Sequence, residues 1–157
     1  MKKWDILMVV GLLFFSQPAG AQQACTQMWC QEGATLNLEG ASWPPGVYHF
    51  TVRAGGIEAE CEGRLPFASC EGPNVICNNA LVTIGESGCA LPEDAHSFHA
   101  VMAQGTPGHL DVAIKHESGR SFYYEAALEP QCFYPNGEGC DPRPCCSAVM
   151  TAKVVWE

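Results

Sequence analysis

The residues of this chain that could do chemistry are above all its ten cysteines: Cys25, Cys30, Cys61, Cys70, Cys77, Cys89, Cys132, Cys140, Cys145 and Cys146. Small exported proteins use thiols at this density as a disulfide framework, since disulfides persist in oxidising compartments. Zinc binding is the competing use, but no C-x-x-C pair occurs in the sequence. We therefore predict that all ten cysteines form disulfides, and we predict no cofactor.

The sequence leaves the pairing of these cysteines open, with two partial constraints. Cys145 and Cys146 are neighbours, and in an extended chain their side chains point in opposite directions. We therefore expect them to reach different partners. Cys61 is expected to face the core beside Phe50, which makes it the best candidate for a bridge between two sheets.

A second candidate for chemistry is the H-x-x-H pair His96 and His99, which follows Glu93 and Asp94. Imidazoles near carboxylates are a ligand set for zinc or copper. On a strand, residues three apart point to opposite faces, so the two histidines would converge on a metal only from a helical turn. The alternative interpretation is a boundary between a loop and a strand.

The other three histidines do not form a motif. They are His49, His109 and His116, and each is isolated on a predicted sheet face. Histidines of this kind are usually ordinary surface residues or are satisfied by hydrogen bonds, and we interpret all three in this way.

The segment Gly-Glu-Ser-Gly-Cys at 85–89 resembles a serine-nucleophile loop at first sight. A nucleophile elbow needs a glycine two places after the serine, where this chain has Cys89. No base and orienting group can be assembled around Ser87 with suitable spacing. We predict no catalytic residue here and interpret the segment as a turn that positions Cys89 for a disulfide.

A long segment before the last predicted strand is the best candidate for binding, because stapled loops at the end of a sandwich often carry function. Exposed aromatic side chains there would anchor a protein or glycan partner. The alternative is a packed cap over the end of the sandwich. The candidate binding residues are Phe133, Tyr134, Asn136, Glu138 and Asp141.

The beginning of the chain indicates export. Two lysines precede an apolar run at 6–15, and small residues follow at 19–21, which is the order of a cleaved signal peptide. We predict a signal peptide at 1–21 and a single mature domain at 22–157, located in the periplasm or outside the cell. No later run is long and apolar enough to span a membrane.

The charge balance excludes one class of partner. The chain has 8 Lys and Arg against 17 Asp and Glu, a formal net charge of −9. Nucleic acid would be repelled by such a surface, so we predict no nucleic-acid binding.

These residues must be positioned by strands. The first prediction is a β-hairpin around the Gly-Gly pair at 55–56. Paired glycines supply the positive φ angles of a two-residue turn. Counting outward predicts strands at 48–54 and 57–65, with Phe50 opposite Cys61 on the core face. The glutamates of the second strand then face solvent, so a slip by one residue would bury them.

A second hairpin is predicted from 109–116 and 121–128. A two-residue turn would place an apolar residue opposite Glu125, whereas a three-residue loop pairs Ile114 with Phe122. The second register buries more apolar surface, and Gly119 then takes the left-handed position of the loop.

Four further strands are predicted at 34–40, 80–85, 97–103 and 148–156. About eight short strands without an amphipathic helix indicate an all-β fold, a disulfide-stapled antiparallel β-sandwich with immunoglobulin-like connectivity. The cysteine spacing of antibody domains is missing.

Three motifs suggest a family. W-P-P-G at 43–46, G-E-S-G-C-A-L-P at 85–92 and P-N-G-E-G-C-D-P at 135–142 resemble segments of small cysteine-rich exported proteins of Gram-negative bacteria that have no assigned activity. The likeness covers most of the mature chain. It implies an immunoglobulin-like β-sandwich and no function. Some such proteins carry a lipid anchor, but the residues before Cys25 match a lipidation signal poorly.

The leading functional hypothesis is an exported, non-catalytic binding or interaction module. One alternative is a small secreted hydrolase or metal-dependent enzyme that uses His96 and His99. Another is a protease inhibitor that presents a stapled loop.

Overall fold

The structure is a computed structural model that describes residues 25–40, 42–105 and 107–157. The predicted signal peptide lies outside the described residues. The described residues form ten strands: β1 (Gly33–Glu39), β2 (Gly46–Ala54), β3 (Ile57–Leu65), β4 (Val75–Cys77), β5 (Val82–Ser87), β6 (Ser97–Gln104), β7 (His109–His116), β8 (Ser121–Ala127), β9 (Gln131–Phe133) and β10 (Cys145–Lys153). A 3-10 helix, Glu93–Ala95, precedes β6.

The strands form two five-stranded sheets with their buried faces against one core. One sheet has the order β5-β6-β1-β10-β9 and the other β4-β3-β2-β7-β8. Pairs between described strands are antiparallel except for β1 with β10, which is parallel. The predicted all-β, disulfide-stapled β-sandwich is confirmed, while the immunoglobulin-like connectivity stays a prediction.

Both predicted hairpin registers are confirmed. In the first hairpin Phe50 pairs with Cys61, and the turn glycines have φ angles of 54° and 86°. In the second hairpin Ile114 pairs with Phe122, and Gly119 has a φ of 91°. The register of a hairpin depends on the alternation of apolar and polar residues along each strand and on the residues of the turn. Both are local properties, so the sequence was sufficient to predict the register.

Two strands, β4 and β9, lie where the sequence predicted loops. Each has three residues, which is too short for an alternating pattern to be recognised. Each is joined to its neighbouring strand by a disulfide between directly paired residues, Cys61–Cys77 and Cys132–Cys146, with Cα–Cα distances of 4.0 Å. The predicted bridge from Cys61 to the opposite sheet is therefore wrong: Cys61 faces the core as expected, but its partner lies on the adjacent strand.

The limits of two predicted strands also change. The strand predicted at 80–85 is β5, which begins at Val82 and continues to Ser87 past a bulge at Gly85. The strand predicted at 148–156 is β10, which begins at Cys145 and ends at Lys153. Its earlier start follows from pairing with β9, which the sequence did not predict.

All ten cysteines form disulfides, as predicted. The remaining three pairs are Cys25–Cys140, Cys30–Cys145 and Cys70–Cys89, and no described cysteine is free. Cys145 and Cys146 reach different partners, as expected from their opposite directions on a strand.

Aromatic rings hold the two sheets together. Phe98 of β6 is fully buried, and its ring packs edge-to-face on Tyr48 at 5.2 Å and on Phe50 at 5.1 Å, both on β2 of the other sheet. Trp43 packs against Tyr48 at 5.4 Å and Trp156 at 5.2 Å. Such pairs add about 0.5–1.5 kcal/mol each beyond the area that they bury.

The Trp-Pro-Pro-Gly connector into β2 is fixed by the same cluster. The buried Tyr48 hydroxyl donates to the Pro44 carbonyl, and burial raises the pKa of Tyr48 to about 12. Gly46 has a φ of 142°, and a Cβ there would lie 2.3 Å from the His116 ring. The connector therefore needs the absence of a side chain at this position.

Within the described ranges, no helix has the length and apolar character needed to cross a membrane.

Replacement of Phe98 by alanine tests the inter-sheet packing. We expect the Phe98→Ala variant to lose about 3–5 kcal/mol in the free energy of unfolding, because the ring leaves a cavity between the sheets. The matched control is Phe133→Ala, whose ring is 52% exposed and whose loss should stay below about 1 kcal/mol. Guanidinium unfolding with intact disulfides measures both, and equal losses would contradict the assignment of Phe98 to the core.

Candidate binding surface

Residues 25–32, which precede β1, form a segment without regular secondary structure that is held by a disulfide near each end. Disulfides join Cys25 to Cys140 and Cys30 to Cys145, each with a Cα–Cα distance of 5.6 Å and a sequence separation of 115. We call residues 25–32 the stapled segment. These two covalent bonds hold the segment in position although it has no secondary structure of its own.

The side chain of Asn136 clamps the middle of the stapled segment. Its Oδ1 accepts hydrogen bonds from the Met28 amide at 2.6 Å and the Thr26 hydroxyl at 2.9 Å, and its Nδ2 donates to the Met28 carbonyl at 3.0 Å. Both backbone groups of Met28 are therefore satisfied by one amide side chain, much as a neighbouring strand would satisfy them.

Asp141 holds Asn136 in this orientation. Its Oδ1 accepts from Asn136 Nδ2 at 2.7 Å, and its Oδ2 accepts from the Asn136 backbone amide, also at 2.7 Å. Two of the residues predicted to bind a partner thus position the stapled segment instead of standing free in the solvent. A carboxylate acceptor makes these bonds stronger than neutral ones.

Four apolar side chains are exposed around the stapled segment. Trp29 is 92% exposed and Met28 57%, and of the predicted aromatic residues Phe133 is 52% and Tyr134 37% exposed. Phe133 pairs with Cys145, the disulfide partner of Cys30, so it belongs to the same end of the sheet as Trp29. We call Met28, Trp29, Phe133 and Tyr134 the aromatic end. The fifth predicted residue, Glu138, is exposed on the loop between β9 and β10.

A cleft of about 710 Å³ lies beside Trp29, between the stapled segment, the start of β1 and the end of β6. Met102 and Gln104 line its β6 side, and an ion pair between Glu32 and Arg143 lies at its rim with N–O distances of 2.6 and 3.2 Å. A surface pair of this kind contributes about 0–1 kcal/mol, so its main effect is to orient the rim.

The structure places His96 and His99 in different surroundings. His96 is buried and extended just after the 3-10 helix: its Nδ1 accepts from the Phe67 amide at 3.0 Å, and its Nε2 lies 3.3 Å from the Leu91 carbonyl. His99 is exposed on β6 beside Gly85. Metal binding by His96 would require a ring nitrogen to give up its backbone partner, and this metal site stays a prediction.

The segment at 85–89 has a clear structural role. Glu86 follows the bulge in β5, and its carboxylate accepts hydrogen bonds from the backbone amides of Asn74 at 2.7 Å and Val75 at 2.9 Å. Cys89 then bonds to Cys70. The segment therefore connects the sheet that contains β5 to the loop that leads into β4 of the other sheet.

Comparison of the chain with protein-family models, with curated proteins and with solved structures finds no match.

Met28 and Trp29 were not among the residues predicted to bind. They lie in a short stretch between two cysteines that shows no strand pattern, so periodicity could not place them. The residue type gave no signal either, because a tryptophan beside a disulfide can equally pack in a core. The cleft and the Asn136 clamp depend on contacts across more than 100 residues, which no local pattern reveals.

Replacement of Asn136 tests the clamp. In Asn136→Ala the Met28 amide loses its partner, and we expect its hydrogen exchange to accelerate about tenfold or more, since each lost bond contributes about 0.5–1.5 kcal/mol. The matched control is Asn79→Ala, which removes side-chain bonds to the Leu81 amide and the Glu58 carbonyl elsewhere. Amide exchange measured by NMR that is unchanged at Met28, or changed equally by both variants, would contradict the clamp.

Proposed function

We propose that this protein is an exported, non-catalytic binding module that presents the aromatic end to a protein or glycan partner. The observation that carries the proposal is the 92% exposure of Trp29 on a segment stapled by two disulfides. Burial of a large apolar side chain ordinarily stabilises a fold by roughly 1.5–3 kcal/mol, and this chain forgoes that gain at Trp29.

Rigidity is the second support. A partner that binds a flexible segment must offset the loss of its conformational freedom, whereas the stapled segment is ordered beforehand by its disulfides and by Asn136. Tryptophan and tyrosine are also the side chains that most often dominate binding energy at interfaces, because they offer large area with few rotatable bonds. The ten bonded cysteines support an oxidising location, in the periplasm or outside the cell.

A Trp29→Ala variant tests the proposed surface. Wild-type protein is immobilised and presented to a glycan array and to proteins of the cell envelope and culture medium, and the affinity of each retained molecule is measured. We expect Trp29→Ala to weaken binding about 30-fold, as for a central interface tryptophan. The matched control is Leu91→Ala, an apolar side chain 60% exposed elsewhere, which should bind as the wild type does. Retained molecules that bind Trp29→Ala with unchanged affinity would contradict the proposal.

A second candidate is a protease inhibitor, and the shape of the stapled segment favours it. An inhibitor needs an exposed stretch whose backbone stays in place around the bond offered to the protease. Residues 25–32 contain no helix or strand, Trp29 is exposed, and the backbone amide and carbonyl of Met28 are both hydrogen-bonded to Asn136. Trp29 would then enter a hydrophobic primary pocket such as that of chymotrypsin.

Titration against two proteases separates the candidates. If the protein is an inhibitor, it should inhibit chymotrypsin, Trp29→Ala should lose at least about 100-fold in affinity, and trypsin should be unaffected because its pocket selects a basic side chain. Residual chymotrypsin activity on a small substrate is the measurement. Cleavage of the chain without inhibition would remove the inhibitor candidate and leave the binding module.

A further inference from the structure

Three side chains with metal-ligating atoms meet on the outer face of β7 and β8. They are His109 and Asp111 of β7 and Glu125 of β8. His109 Nε2 lies 2.8 Å from Asp111 Oδ1 and 3.4 Å from Glu125 Oε1, and the three ligand atoms are all within 4.8 Å of one another. Among the described residues, this is the group of three His, Cys, Asp or Glu side chains whose ligand atoms lie this close together.

The spacing of the ligand atoms suits a metal ion. Two ligands about 2.0–2.2 Å from one ion, at tetrahedral or octahedral angles, lie about 2.8–3.5 Å apart. Both distances from His109 Nε2 fall within that interval. One imidazole nitrogen and two carboxylate oxygens are ligands for zinc and similar transition ions, whereas magnesium and calcium prefer oxygen ligands alone.

A neighbouring side chain orients one of the two carboxylates. The Tyr123 hydroxyl donates to Glu125 Oε2 at 2.9 Å, and this bond is the main cause of the raised pKa of Tyr123. Glu125 Oε1 is left facing His109. An outer hydrogen bond that orients a ligating carboxylate is a regular feature of metal sites.

Asp111 and Glu125 are also directly opposite each other in the register of β7 and β8. Two like charges in that relation are destabilising, and a cation between them removes the repulsion. Arg53 lies opposite Asp111 on the other side, but its guanidinium donates to Glu58 at 3.0 and 3.1 Å. A cation bound beside His109 would relieve the repulsion between Asp111 and Glu125.

We propose that His109, Asp111 and Glu125 form a binding site for a divalent transition cation, for which Zn²⁺ is the best match. Three protein ligands leave a further coordination position for water or for a partner's side chain. An open recess of about 380 Å³ is lined by His109 and Asp111 and by the turn at Gly55 and Gly56. The site is independent of Trp29, so it stands or falls separately from the proposed function.

Calorimetric titration with ZnCl₂ tests the site. The protein is untagged, treated with a chelator and dialysed, with its disulfides intact. We expect one Zn²⁺ per chain, and affinity at least about tenfold lower in each of His109→Gln, Asp111→Asn and Glu125→Gln, because each removes one of three ligands. MgCl₂ should bind much more weakly than ZnCl₂. These side chains are at least partly exposed, so the variants should fold, which thermal unfolding verifies.

The chain offers a matched control on the same sheet. His49 of β2 forms a similar cross-strand pair with Glu62, at 3.5 Å, but no other residue that the structure describes completes a group of three ligands there. His49→Gln should therefore bind Zn²⁺ as the wild type does. The proposal is overturned if the wild type shows no saturable one-to-one binding, if His49→Gln loses as much affinity as His109→Gln, or if His99→Gln alone abolishes binding.

Discussion

The fold depends first on the insertion of one ring, Phe98, between the two sheets. Its ring touches Tyr48 and Phe50 of the opposite sheet and also lies 5.2 Å from Trp43 and 5.8 Å from Phe67. The backbone opposite must leave room for it: a Cβ at residue 63 would lie 2.7 Å from the Val75 side chain of β4 and 3.2 Å from the Phe98 ring. The glycine in the middle of β3 is thus explained by close approach, since a strand interior otherwise disfavours this residue.

The disulfides order parts of the chain that lie at the edges of the sheets or outside the strands. They do so in two ways. Two of them join directly paired residues and thereby fasten three-residue strands to the edges of the sheets. The other three join segments outside the strands or at their ends, including the stapled segment. Because each bridge restricts the unfolded chain, irregular segments can remain ordered without a hydrophobic core of their own.

The two candidate sites are positioned by different constraints. Trp29 is exposed, so burial of its ring does not fix the backbone beneath it; the bridges and Asn136 do. The cluster of His109 and Glu125 depends in contrast on strand register, since adjacent strands bring their outward side chains together. One protein therefore offers two surfaces of different chemistry, one apolar and one polar, each positioned by a different constraint.

The sequence by itself determined the two hairpins, the all-β class and the divergence of Cys145 from Cys146, because alternation, turn glycines and the direction of neighbouring side chains are local properties. Only the tertiary structure decided the partner of Cys61, the exposure of Trp29 and the meeting of His109 with Glu125. These outcomes depend on which distant segments become neighbours. That choice is made by the packing of the whole core and the order of strands in each sheet, and no short stretch of sequence contains it.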